Sequence, residues 1–408
     1  MCAQVSKGVP LALGDSTVFD TVVKKRMPPL NYNTQLDIID VFGNLFHKFK
    51  GKRVDTGEIK SPKFRIAGPV PAAGYSLNTG FAGIVTANGS WYTDTNANSS
   101  SVLTSFTYTL DNQIILPLQM NYWTKGNKYN IVVDWRYVYF PSLTYGLGGF
   151  TSAADGYIID YSAIRIHQAV LRQLAEDMYA GIGYNLDYYW NIKEVNPPFT
   201  PTDFETYGLS KTEFASGFTF NFLYDTRKNS VNPRGGNFIN VIYRPNLTIF
   251  GNSNSWRSLV VDARKYIPLP MPWLYSAGAN NVLALWSYEW LTIDGKAPYL
   301  MMPNTGGDAY GNTGRGYIPG RFRGANMAYL EAEYRFGMLN DGFLGGVIFA
   351  NAESFTEQTT NTFQTIAPAA GLGLRLKLNK FSRTNVALDY GFGLNGSGGI
   401  FVNLGEVF

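Results

Sequence analysis

The residues best suited to chemistry in this 408-residue chain lie in one stretch, GRGYIPGRFRGANMAYLEAEYRF, from Gly314 to Phe336. It opens with a turn-like run holding Arg315, Arg321 and Arg323, two of them followed by glycine, and closes with Glu331, Glu333 and Arg335 on alternate residues. A guanidinium is planar, always charged, and presents its donors in a fixed fork. A carboxylate shielded from bulk water takes two of those donors at once. The chemistry on offer is charge pairing. Catalytic arrangements find little support. His47 and His167 are far apart in sequence, and Cys2 is the single cysteine, so a histidine-ligated zinc, a Ser-His-Asp triad and an internal disulfide all lack their parts. The Gly-Asp-Ser of ALGDSTV has no partnering histidine pattern. No enzyme activity, cofactor or metal is expected.

Charge pairs of this kind need a wall to hold them. Only 16% of the residues are charged, against about 25% in ordinary soluble domains, and the net charge is +4. Aromatics reach 15%, with 27 Tyr, 27 Phe and 8 Trp beside 43 Gly. That composition suggests a β protein with an apolar exterior and gives no reason to expect a nucleic-acid partner. No segment offers the ~18 uninterrupted apolar residues of a membrane-spanning helix. A membrane reading therefore requires a closed barrel, since only helices and barrels satisfy their backbone in lipid. Composition alone leaves a large β-sandwich or propeller equally open.

Alternation and length separate these. In AAGLGLRLKLN, Leu372, Leu374, Leu376 and Leu378 share one face, opposite Gly371, Gly373, Arg375 and Lys377. In NVALDYGFGL, Val386, Leu388, Tyr390, Phe392 and Leu394 oppose Ala387, Asp389, Gly391 and Gly393. In NIVVDWRYVYF, Ile131, Val133, Trp135, Tyr137 and Tyr139 oppose Asp134 and Arg136. This two-residue period is that of a strand. Many such runs reach 10 residues or more, whereas globular strands centre on about 5–6 and tilted membrane strands need about 9–11. Tyr and Trp at strand ends suit interfacial girdles. The pattern predicts an all-β fold, a transmembrane antiparallel β-barrel of about 16 strands. They fall near 64–76, 79–92, 102–110, 112–123, 129–140, 157–170, 177–190, 212–225, 236–246, 255–267, 281–293, 327–337, 343–353, 369–379, 385–394 and 399–408.

The domain division expected is 1–60, an N-terminal extension, and 61–408, the barrel. Within the extension, NTQLDIIDVFGNLFHKFK has helical spacing over about 34–50, with Leu36, Ile39, Phe42, Phe46 and Phe49 on one face. Asp37 and Asp40 near its start and Lys48 and Lys50 near its end suit the helix dipole. The helix packs at the barrel mouth, or serves as a plug, a membrane-surface anchor or a partner contact. No apolar export-signal region precedes MCAQ; Cys2 reads as the tail of a cleaved signal or as a lipidated residue.

The second half resembles the BamA/TamA superfamily, surface-antigen barrels that assemble proteins in bacterial outer membranes or move them across. LYDTRKNSVNPRGG, with Asp225, Arg227, Pro233 and Gly236, is similar to the family's Asp-x-Arg…Pro-x-x-Gly periplasmic turn. GRGYIPG resembles the Val-Arg-Gly-Phe/Tyr motif of the sixth extracellular loop, and EYRF the Glu-Leu-Arg-Phe of the strand that follows. VIFANAES sits where the family carries Phe-x-Asp; AGLGLR, ALDYGFG and the closing IFVNLGEVF fit the last three strands, ending in the Phe that assembly machinery reads. Seven motifs follow in order over about 185 residues. The first half resembles the family in strand pattern and in PVPAAGYSLNTGFA.

The resemblance implies that the sixth loop returns into the lumen, with Arg315, Gly316 and Tyr317 as its locking motif. Its expected partners are Glu331, Glu333, Asn351 and Glu353. Asn351 stands where the family has Asp, which throws more weight on Glu333, with Glu331 or Glu353 substituting; Gly314 replaces the usual Val. Arg321 and Arg323 read as loop-packing or further lumen contacts. Closure between first and last strands should be the weakest seam. Pro69 and Pro71 remove two donors on one side of the first strand, and Gly399, Gly405 and Phe408 mark the other edge. The family is thought to use this seam as a lateral gate. A short, frayed edge strand is the plain alternative. Residues 1–60 leave no room for a periplasmic POTRA domain. The functions implied are insertion or translocation of protein or lipid, with a passive or gated pore and a structural partner barrel as alternatives. Outer-membrane lipid, a second copy and other outer-membrane proteins are the expected partners.

Overall fold

In the computed structural model the described residues are 35–38, 40–41, 65–76, 80–95, 97–269, 281–339, 341–380 and 383–408. They form seventeen strands. In order these are β1 (Arg65–Ser76), β2 (Gly80–Trp91), β3 (Ser100–Thr109), β4 (Ile114–Trp123), β5 (Tyr129–Tyr139), β6 (Ser142–Thr144), β7 (Tyr157–Ala175) and β8 (Met178–Val195). A short helix, α1 (Asp203–Gly208), precedes β9 (Thr212–Asp225), β10 (Gly236–Asn246), β11 (Trp256–Pro268) and β12 (Val282–Gly295). The last five are β13 (Asn326–Gly337), β14 (Leu344–Phe355), β15 (Ala367–Asn379), β16 (Thr384–Phe392) and β17 (Gly398–Leu404).

Each strand pairs antiparallel with its neighbour in chain order, except that β5 pairs directly with β7. β6 is a three-residue addition to the start of β7, Ser142 opposite Ile159. Removing it from the seventeen leaves sixteen wall strands, the number the alternation predicts. The missed β6 is too short to show a period.

The wall carries its charges inside and its apolar side chains outside, the reverse of a soluble sandwich. On β13, Glu331, Glu333 and Arg335 are buried while Leu330 is 61% exposed. On β15 and β16, Arg375, Ala387 and Asp389 are buried while Leu372, Leu374, Leu388 and Tyr390 are exposed. Exposed Leu, Tyr and Phe around a closed sheet with buried ions inside are what a barrel in lipid requires. The connections alternate between a short-turn end, such as 176–177, 338–343 and 380–383, and a long-loop end, such as 140–156, 196–211 and 296–325. At the long-loop end these three loops pack together: Leu147, Phe204 and Tyr299 to Met302 form a core with Tyr157 and Ile159 of the wall.

Ile38, Asp40 and Val41 are helical, and Asp37 and Asp40 each accept the other's backbone N–H (3.0 and 3.1 Å). The remainder of the helix expected over 34–50 lies outside the described residues, as does the rest of the extension. This helical start sits at the short-turn end. Leu36 donates to the Asp341 carbonyl at 3.0 Å, and Lys380 pairs with Asp40 at 3.1 Å.

Candidate functional site

The connection 296–325 does not stand out in solvent but folds back into the lumen. Asp308 starts the return: its carboxylate accepts from the backbone of Tyr310, Asn312 and Thr313 (3.1, 2.7 and 2.7 Å), shaping a tight turn. Gly314 (φ +78°) and Gly316 (φ +114°) then bend the chain against β16. A Cβ on Gly316 would lie 2.7 Å from Ala369 Cβ and 3.1 Å from the Phe392 carbonyl, so only glycine fits this approach. Tyr317 closes the turn, donating to the Pro368 carbonyl (2.8 Å) and accepting from the Leu394 N–H (3.0 Å).

Arg315, 1% exposed, is thereby held over three carboxylates. It pairs with Glu331, with Glu333 at 2.5 Å and with Asp389 at 2.5 Å. The Phe349 ring lies 3.8 Å from its guanidinium carbon, adding a cation–π contact. Burial opposes its charge, but Glu331, Glu333 and Asp389 outweigh this and hold its pKa well above the ordinary arginine value. The acids are shared onward. Glu333 accepts from Arg335 Nε at 2.7 Å, Asp389 pairs with Arg375, and Arg375 Nε reaches Glu406 at 2.7 Å. Tyr329 donates to Glu331.

The structure thus brings Arg315, Gly316, Tyr317, Glu331, Glu333 and Asn351 together. Asn351 does not meet the guanidinium; its Nδ2 donates to the Arg315 carbonyl oxygen at 2.9 Å. Glu353 does not substitute for the missing acid either. It accepts from Thr305 Oγ1 at 2.9 Å, elsewhere in the same loop. The third acid is Asp389 on β16, which sequence reasoning left out. The signal was present, because alternation puts Asp389 on the face of Ala387 and Gly391. Arg321 donates to the Thr151 carbonyl at 2.6 Å, and Arg323 to the Tyr299 carbonyl at 3.1 Å. Both join neighbouring segments of the long-loop end. On the far wall, Arg136 of β5, held by Asp134 through two contacts of 2.7 Å, donates to the Ala309 carbonyl. The loop therefore bridges the lumen between β5 and β13–β16.

In the turn 226–235, Arg227 grips Asp225 through two contacts (2.9 and 2.8 Å), Pro233 is buried and Gly236 has φ +104°. At the seam, β1 slips register against β2 between Ala67 and Val70, around Pro69, while Pro71 stays opposite Val85. Gly399 pairs with Gly391 on β16. Two expectations need correcting. The last strand ends at Leu404 rather than running to 408. Phe408 is not at the seam but inside the barrel against Trp286 and Tyr266, because Gly405 (φ +100°) turns the chain inward and Arg335 and Arg375 draw Glu406 after it. Among the described residues no paired register joins β17 to β1, although the two lie side by side.

The Omp85 superfamily domain model matches residues 112–399. No curated protein matches the chain. Among solved structures, the fold is similar to BamA from Haemophilus ducreyi lacking POTRA domains 1–3, at 13% identity and TM-score 0.53, over 84% of this chain and 68% of that one. It is similar too to CdiB from Acinetobacter baumannii, at 13% identity and TM-score 0.52, over 83% of this chain and 59% of that one. CdiB from Escherichia coli gives 11% and 0.52, over 82% of this chain and 61% of that one. The chain thus spans about three fifths of the CdiB proteins it resembles.

Proposed function

Because the chain belongs to the Omp85 superfamily, we propose that it inserts or translocates protein or lipid at the seam between β17 and β1. It is an outer-membrane β-barrel of the assembly and translocation class. The observation that carries the proposal is the seam itself. Every other neighbouring pair of wall strands has a paired register, and β17 with β1 has none among the described residues. The proline at the β1 bulge cannot donate there. The loop lock supports the same reading, since Asp389 ties Arg315 to β16, the strand beside β17. The test is a disulfide between β1 and β17 in a liposome insertion or lipid-scrambling assay. Activity should fall on oxidation and return with reductant; equal activity in both states rejects the seam.

A gated pore is the second reading. Its support is the lumen face of β2–β4, where Thr86, Ser105, Thr107, Gln119 and Asn121 share a side without charge. The bridging loop leaves that side uncovered by ion pairs. Conductance in planar bilayers tests it: Arg315→Ala should enlarge the pore, and an unchanged, large, steady conductance removes the loop from gating. Crosslinking in intact cells would identify a second copy or another outer-membrane protein as partner.

A further inference from the structure

A cavity of about 180 Å³ opens at the long-loop end, between α1, the starts of β9 and β11 and the first residues of the 296–325 connection. Neither Arg315 nor its three acids line it. Tyr299 and Trp256, 1% and 3% exposed, belong to its inner wall. Tyr207 spans to the facing segment, its hydroxyl donating to the Ala297 carbonyl at 2.7 Å. Glu213 is the single acid of the lining and is 6% exposed. Its carboxylate accepts from the Leu300 N–H at 2.9 Å, and among the described residues it forms no ion pair. The Arg323 guanidinium is turned instead to the Tyr299 and Met302 carbonyls (3.1 and 3.5 Å). A carboxylate taken out of water without a cation is costly, and a cation brought to it lowers that cost. Lys296, the single base of the lining, is exposed at the rim. Its ammonium donates to the Tyr207 carbonyl and lies 4.0 Å from the centre of the Tyr207 ring. The chain's own lysine thus uses this aromatic wall as a seat for an ammonium group.

We propose that this cavity binds a small zwitterion, with its alkylammonium group against Glu213 and the aromatic wall and its anionic group at Lys296. Charge selects the class. An inorganic anion would meet Lys296 but face the buried Glu213 carboxylate, a like charge. A neutral sugar could use the rings and hydroxyls but would leave Glu213 uncompensated. A molecule with an inner cation and an outer anion meets both charges in the order the cavity presents them, acid buried and base exposed. The rings select an organic cation, since an ammonium carrying carbon substituents sits well on aromatic faces. Size agrees: a cavity of about 150 Å³ takes a six-carbon ring, so this one takes a group as large as choline. The attached anion would then reach the rim, where Ser253 and Asn254 are exposed beside Lys296 and can donate to it. The site lies among the loops of the long-loop end and is independent of the seam and of what the barrel moves.

The experiment is titration calorimetry on the full chain in phosphatidylglycerol liposomes, whose head group is not a zwitterion, with protein-free liposomes subtracted. Phosphocholine is the probe and should bind saturably, more tightly than choline, with inorganic phosphate and methyl glucoside weaker still. Glu213→Gln keeps an acceptor for the Leu300 N–H but loses the charge. It should weaken phosphocholine and choline alike by about tenfold, the ratio given by ~1.4 kcal/mol. Lys296→Ala should weaken phosphocholine by a similar factor and leave choline no weaker, because it removes a like charge from choline's path. Migration of the unboiled barrel on SDS gels confirms that each variant is folded. Repeating the titration in phosphatidylcholine liposomes separates the sources: lower affinity for added phosphocholine supports a bilayer head group as the ligand, and unchanged affinity supports a soluble one. No saturable binding to a folded barrel, or full affinity in Glu213→Gln, overturns the proposal. Phosphate or methyl glucoside binding as tightly as phosphocholine overturns it too.

Discussion

Arg315→Ala removes the centre of the lumen network, and the structure says which partner suffers. Glu333 keeps Arg335 at 2.7 Å and Arg375 at 3.6 Å, and Asp389 keeps Arg375. Glu331 keeps only the Tyr329 hydroxyl among the described residues. The substitution therefore strands one buried carboxylate, not three. Breaking a buried pair by removing one partner costs about 3–5 kcal/mol, and we expect a loss in that range. Glu331→Gln alone should cost about 1.5–3 kcal/mol, a charge-assisted hydrogen bond. The double variant should fall short of the sum by about 2 kcal/mol, since with Arg315 gone the neutral amide removes the stranded charge. The parallel cycle with Asp389→Asn should show a coupling below about 1 kcal/mol, because Arg375 still neutralises that site. Urea unfolding of the reconstituted barrel, followed through its 8 tryptophans and by gel migration, measures all of these. Additive energies in the Glu331 cycle, or a larger coupling in the Asp389 cycle, would refute the assignment of Glu331 as the dependent acid.

Other outcomes follow from single contacts. Gly316→Ala forces a Cβ onto Ala369 and the β16 backbone at a φ of +114°, so the loop should undock and trypsin should cut at Arg315, Arg321 or Arg323 in a barrel otherwise intact. Asn351→Asp restores the family's residue yet removes the donor to the Arg315 carbonyl; it should destabilise by about 1–3 kcal/mol in urea, and a stabilised variant would mean that the guanidinium can turn to meet the new acid. Leu330→Arg, on the lipid face, should cost about 2–4 kcal/mol if it lies near the bilayer midplane. Thr107→Arg, facing the lumen and half-buried, should stay within about 0.5 kcal/mol.

The wall was legible in the sequence because a strand in lipid repeats one local rule. Leu372, Leu374 and Leu376 against Gly371, Gly373 and Arg375 state the inside and outside of β15 without reference to any other strand. The lock was legible only in part. Arg315, Glu331 and Glu333 lie within one short stretch, and alternation puts the two acids on one face. Asp389 is 74 residues from Arg315 and becomes its partner only when the barrel curves. The inward turn after β17 escapes a local reading for a similar reason. IFVNLGEVF alternates well enough to be a strand to its end, and nothing local records that Arg335 and Arg375 offer Glu406 a charged site inside.

These two long-range misses belong to one arrangement. Asp389 and Glu406 are joined through Arg375; Asp389 stands on β16 opposite Phe401 of β17, and Glu406 follows the end of β17. The Asp that the resemblance implies at position 351, on β14, is Asn351 here, which holds the loop backbone instead of its charge. The charge is met from β16, one strand from the seam. With the lock's third acid on β16 rather than β14, the loop is anchored to the strand that pairs with β17. A substitution that restores the acid at position 351 and removes it at position 389 would return the anchor to β14. If loop and seam are then released independently, the position of this one carboxylate is what ties them together in this chain.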